Sequence, residues 1–210
     1  MIQRSKLPKE EQYNAISHGI GALLSVFGLF VLLIVDTNKS NFSVLGILLY
    51  GSAMIGLFTA STLYHAVPRS PLKERLRILD HISIYFLIAG TYSPVTLILL
   101  HQASGWILFY VVWGIAGIGA ILKLFFTGRF EFISLILYAL MGWLIMFDLD
   151  SLRLVTTDNG IQLLFVGGVF YTVGIIFYAV RKIPYNHFIW HLFVLAGALC
   201  HWLFIFIDVV

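Results

Sequence analysis

His187-Phe188-Ile189-Trp190-His191-Leu192-Phe193-Val194-Leu195-Ala196-Gly197-Ala198-Leu199-Cys200-His201 belongs to an apolar run long enough to cross a bilayer, and it carries three histidines. Ionisable side chains are costly inside a span, so each is a functional candidate. His187 and His191 stand four residues apart. On a helix that spacing puts both imidazoles on one face, one turn apart, where they can reach one metal ion. His201 lies about 15 Å further along and is too far away to share it. The fold then depends on how many other spans there are, and which of them bring polar groups to the depth of this pair.

Of the 210 residues, 60% are hydrophobic and only 11% are charged, against about a quarter charged in a soluble domain. This composition indicates a polytopic membrane protein. The net charge of +3 does not indicate nucleic acid, because the basic residues fall in short loops where they set topology. The single cysteine, Cys200, permits neither an intrachain disulfide nor a cysteine metal cluster. Residues 1–14 are polar and precede a run of full span length, which does not read as a cleavable signal peptide.

Hydropathy and breaker residues predict one seven-helix membrane domain over residues 1–210, with 1–14 as a cytoplasmic N-terminal segment. The spans are 15–35, 42–67, 71–100, 105–126, 130–147, 161–180 and a last one opening near His187. Ser70 reads as an N-cap with Pro71 at the first helical position, and Pro94 as a kink. A polar loop is expected over 148–160. Arg4, Lys6, Lys9, Arg69, Lys73, Arg75, Arg77, Lys123, Arg129, Arg181 and Lys182 fall on one side of these spans, and only Lys39 and Arg153 on the other. Eleven basic residues against two predict a cytoplasmic N-terminus and a C-terminus outside.

Alternating direction then brings the intramembrane polar groups together. His187 and His191 open the last span, His65 closes the second, and Asp80 enters the third; Asn14 and His18 open the first. Three imidazoles at one depth match a catalytic zinc site, which uses three protein ligands and leaves a fourth position for water. Asp80 is the candidate to hold that water and take its proton. The Ser70-Pro71 start places Asp80 well inside its helix, which argues against a capping role. Ser61, one turn from His65, can bond Asp80, the water or a substrate oxygen, or simply the carbonyl of Leu57. His18, His81, His101 and His201 read more plainly as interfacial or hydrogen-bonded residues. The donor set suits one Zn2+ per chain, though imidazoles also suit copper, iron or nickel.

Glu11-x-x-Asn14-x-x-x-His18, Ser61-x-x-x-His65, Leu79-Asp80-His81 with Ala89-Gly90-Thr91-Tyr92-Ser93-Pro94, and His187-x-x-x-His191 together resemble the hemolysin III family. That family is the bacterial branch of the progestin and adiponectin receptor superfamily. The resemblance covers essentially the whole chain. It implies seven helices in the bacterial inner membrane, with the N-terminus inside and a zinc ion near the cytoplasmic leaflet. In the receptor branch the zinc ligands are histidines matching His65, His187 and His191. The aspartate matching Asp80 holds a zinc-bound water, and the serine matching Ser61 lies beside it. The receptor branch is linked to ceramide hydrolysis, and the bacterial members are named for haemolysis on expression.

Three functions are expected from these readings. The first is a zinc-dependent hydrolase of lipid amide or ester bonds, with a membrane lipid arriving laterally as substrate and Asp80 as base. The second is a non-enzymatic, zinc-stabilised sensor or regulator of lipid state. The third, a pore-forming cytolysin, has less physical support, because a bundle with few charged residues inside its spans offers no obvious water-lined path.

Overall fold

A computed structural model describes residues 7–210; Arg4 and Lys6, counted above among the basic residues, lie outside them. The described residues contain seven helical spans long and apolar enough to cross a membrane. They are formed by α1 (Lys9–Val35), α2 (Ser43–Ala66), α3 (Pro71–Pro94), α4 (Gly105–Phe126), α5 (Glu131–Gly142), α6 (Leu149–Arg153), α7 (Asp158–Ala179) and α8 (Asn186–Phe204). The fifth span, Glu131–Arg153, contains both α5 and the short α6. The protein is a multi-pass integral membrane protein, because in hydrocarbon each span must satisfy its own backbone and a helix does so.

The helix ends follow their local chemistry. The Ser70 side chain accepts from the Lys73 N–H at 3.2 Å, with Pro71 next in the chain. Pro94 ends α3 and a π turn, Val95–Leu99, continues the span. Ser40 Oγ donates to the Leu97 carbonyl at 2.8 Å, taking up an acceptor in that turn. Several boundaries differ from expectation. α1 starts at Lys9, six residues before the first expected span, because its first turn is held by tertiary contacts instead of by hydrophobicity. Part of the expected loop 148–160 is helical, as α6 and the start of α7, and the expected helix over 130–147 ends as α5 at Gly142.

α3 is the most enclosed span and packs closely on α2. In lipid there is little hydrophobic force between helices, so close approach through small residues matters. A Cβ at Gly90 would stand 2.6 Å from the Ala53 Cβ, and one at Gly46 would stand 3.0 Å from the Pro94 Cα. α1 lies along α2 and α8. Its outer face, including Leu23, Phe27, Phe30 and Ile34, is exposed, as a lipid-facing surface must be.

Tertiary contacts gather the basic loops at one end. Lys73 at the start of α3 meets Glu11 at the start of α1. The backbone of His187 meets Glu10. Glu131 at the start of α5 meets Arg77 of α3 and Lys123 of α4. Lys123, counted above with the loop charges, lies inside the last turn of α4 and is buried. At the opposite end, Lys39 Nζ donates to the Asp208 carbonyl and Thr157 Oγ1 donates to the Asp208 carboxylate.

Candidate metal centre

The basic end holds the polar interior. His65 comes from the last turn of α2, and His187 and His191 from the first two turns of α8. Each offers one ligand atom, and the three atoms lie within 4.8 Å of one another. The ring centroids are 5.0 Å apart for His65 and His187, and 4.9 Å apart for the other two pairs. His65 and His191 are almost fully buried, at 2% and 1% exposure.

The residues present suit a metal. Neither ring nitrogen of His65 has a hydrogen-bond partner, and a buried polar atom left so is costly unless something else takes its lone pair. Ligand nitrogens about 2.1 Å from one ion stand about 3.4 Å apart in a tetrahedron. The three rings therefore need to close by no more than about 1.4 Å. His191 Nδ1 lies 3.3 Å from the Asn14 carbonyl. That contact assigns its N–H to Nδ1 and leaves the Nε2 lone pair free. Three neutral imidazoles can hold a divalent ion here.

Asp80 lies in the third turn of α3, buried, with its carboxylate close to Ser61 of α2. It also lies near His65. Ser61 stands beside Asp80, and among the described hydrogen bonds none joins it to the Asp80 carboxylate or to the Leu57 carbonyl. His65, His187 and His191 thus meet between α2 and α8, with Asp80 of α3 and Ser61 of α2 nearby. Of the remaining histidines, His81, His101 and His201 are engaged elsewhere. His81 Nδ1 lies 3.6 Å from Glu131, His101 Nδ1 is 2.8 Å from the Ile98 carbonyl, and His201 Nε2 is 3.1 Å from the Leu164 carbonyl.

Sequence reading left the role of the first span open. Glu10, Glu11, Asn14, Ser17 and His18 all face the ligand histidines. The signal was there in Glu11-x-x-Asn14-x-x-x-His18, whose offsets of three and seven residues mark one helical face. Hydropathy alone does not say which helix that face meets.

A cavity of about 90 Å³ opens one helical turn from the site. Its walls include Leu57, one turn from Ser61; Ile84, one turn from Asp80; and Val194, one turn from His191. The cavity continues past Tyr171 toward His201 between α3, α5, α7 and α8, and its lining is overwhelmingly apolar.

The family model described as Haemolysin-III related matches residues 7–202. Hemolysin-3 of Bacillus cereus is 43% identical over 199 residues, covering 94% of this chain and 91% of that protein. The Hemolysin-3 homolog of Bacillus subtilis (strain 168) is 43% identical over 191 residues, 90% of each chain. The human Monocyte to macrophage differentiation factor is 32% identical over 163 residues, 73% of this chain and 66% of that one. A match across nearly the whole bundle, its polar interior included, means that the chain belongs to the haemolysin-III related family.

Proposed function

We propose that the protein is a zinc-dependent intramembrane hydrolase of amide or ester bonds in membrane lipids. The observation that carries this reading is the meeting of three imidazoles with the Asp80 carboxylate, one turn from an apolar cavity. His65, His187 and His191 would hold the ion, and a three-histidine set with an open fourth position suits catalysis. Bound zinc supplies Lewis acidity, which polarises a carbonyl and makes water nucleophilic at neutral pH. Asp80 takes the proton of that water on a carboxylate oxygen. Ser61, beside Asp80, would orient the carboxylate. Leu57, Ile84 and Val194 exclude bulk water and receive the hydrocarbon of a lipid entering from the side.

Elemental analysis tests the metal. The protein is purified in detergent without added metal, alongside His65→Ala, His187→Ala, His191→Ala and His201→Ala. About one zinc per chain, lost in the first three variants and kept in the last, is the expected result, and it also separates zinc from copper, iron and nickel. Lipid amides and esters are then screened in mixed micelles. No metal in folded wild type, or normal turnover by Asp80→Ala, overturns the reading.

One observation favours a non-enzymatic alternative, a zinc-stabilised sensor of lipid state. The ligands come from α2 and α8 while α1 holds the backs of two of them, so an ion there also cross-links the bundle. Under this reading chelation lowers the melting temperature and no lipid is cleaved. The name of the Bacillus cereus relative, Hemolysin-3, suggests a third reading, haemolysis. Single-channel conductance that changes systematically with point substitutions would support it.

A further inference from the structure

The first turns of α1 supply no ligand, yet they touch all three ligand-bearing residues. Glu10 Oε1 accepts from the backbone N–H of His187 at 3.2 Å. The Asn14 carbonyl lies 3.3 Å from His191 Nδ1, and Ser17 Oγ lies 3.4 Å from the same nitrogen. Glu11 Oε2 lies 3.4 Å from His65 Nδ1. Lys73 Nζ donates to that same Glu11 oxygen at 2.5 Å, and also to the carbonyls of Tyr64 and Val67 at the end of α2. Glu11 is therefore held by α3 and aimed at a ring on α2.

We infer that Glu11 is a positioning residue of the metal centre, taking the Nδ1–H of His65 and leaving Nε2 as the ligand atom. The inference rests on the metal reading of the three imidazoles. A neutral imidazole has one N–H and one lone pair. Which nitrogen keeps the proton is set by the partner of the other. Neither nitrogen of His65 has an aligned hydrogen bond. Among the described residues, Glu11 is the one carboxylate within 4.0 Å of either nitrogen. A small ring rotation turns that 3.4 Å approach into a bond. A carboxylate behind a ligand imidazole locks its orientation and raises its basicity. His191 has the neutral counterpart of this arrangement in the Asn14 carbonyl. Lys73 keeps Glu11 in place and offsets a charge that would be costly beside an apolar bundle.

The test compares wild type, His65→Ala, Glu11→Gln, Glu11→Asp and the exposed-residue control Glu74→Gln in detergent. Zinc affinity is read by competition with a chelator, and ligand geometry by the absorption bands of the cobalt-loaded protein. Glu11→Gln is expected to weaken zinc by about 10- to 100-fold and to shift the cobalt bands. Glu11→Asp, with a shorter reach, falls between it and wild type. Glu74→Gln behaves as wild type. A purely structural role lowers the melting temperature of the metal-free protein but leaves affinity and cobalt bands unchanged, and that result overturns the inference. Should Glu11→Gln not fold, wild-type affinity in Glu11→Asp overturns it. Failure of the underlying metal reading looks different, because wild type then binds zinc no better than His65→Ala.

Discussion

The imidazole of His18 lies parallel to that of His191, with ring centroids 3.6 Å apart and planes 9° from parallel. Imidazole lone pairs lie in the ring plane. An ion in the plane of His191, about 2 Å from its nitrogen, therefore stands well out of the plane of His18. Stacking keeps His18 out of the ligand set, although neither of its buried nitrogens has a hydrogen-bond partner. It also meets Phe58 edge to face at 5.0 Å.

From this follows a contrast between two variants. His18→Phe preserves the stack and is expected to keep the metal content of wild type. His18→Ala removes about 0.5–1.5 kcal/mol of ring–ring energy and lowers the melting temperature. Elemental analysis and thermal melts read both. Loss of metal in His18→Phe would place His18 among the ligands.

Asp80→Asn keeps the size of the side chain and removes the base. If the hydrolase reading holds, turnover falls by about 10²- to 10⁴-fold, while His65, His187 and His191 still hold the ion. Ser61→Ala leaves the carboxylate but frees its orientation, so its loss is smaller. Product release and metal content are measured on the same samples. Parallel loss of both would make Asp80 a ligand.

Lys123 and Glu131 form a mostly buried ion pair, Nζ to Oε2 2.7 Å, at the basic end. The Gly128 N–H also donates to Glu131 at 2.8 Å, and Arg77 lies 3.8 Å away. Removing Glu131 strands the buried Lys123 ammonium in an apolar setting, whereas Glu131 keeps Arg77 and Gly128 when Lys123 is removed. Glu131→Gln is expected to cost about 3–5 kcal/mol, with part recovered in the Lys123→Met/Glu131→Gln double variant. Unfolding in mixed detergent measures both. Additive losses would mean that the pair is not coupled.

Tyr92 crosses to the end of α5, where the fifth span leaves α-helical geometry. Its hydroxyl donates to the carbonyls of Met141 and Gly142, at 2.9 and 3.1 Å, and accepts from the Ile145 N–H at 2.9 Å. Tyr92→Phe leaves these backbone groups without that partner and is expected to cost about 1–3 kcal/mol. Hydrogen exchange at Ile145 should rise while exchange in α8 stays unchanged. A protected Ile145 amide in the variant would show that the break is held by other contacts.

The histidine set was legible before any packing was known, because two local patterns suffice. The i,i+4 spacing of His187 and His191 sets a shared face. Alternating spans then return His65 and Asp80 to the same end. The role of α1 was not legible in this way. Glu11 and Asn14 sit on one face of a helix whose neighbours hydropathy leaves unspecified. Only when α1 lies along α2 and α8 do they reach His65 and His191. The break after Gly142 was hidden for a related reason. Residues 130–147 are apolar enough for a continuous span, and the hydroxyl that satisfies the break belongs to α3.

By itself the sequence determined the number of spans, the gathering of charge at one end, and the depth of each polar side chain. These depend on transfer free energies that act on each segment separately. The tertiary structure decided which helices are neighbours, and with that which atoms stand behind each imidazole. Lateral order in a bundle comes from close packing and hydrogen bonds between segments of nearly equal hydropathy. No pattern within one segment carries that information. The pairing of Glu11 with His65, the stacking of His18 on His191 and the reach of Tyr92 into the fifth span all depend on it.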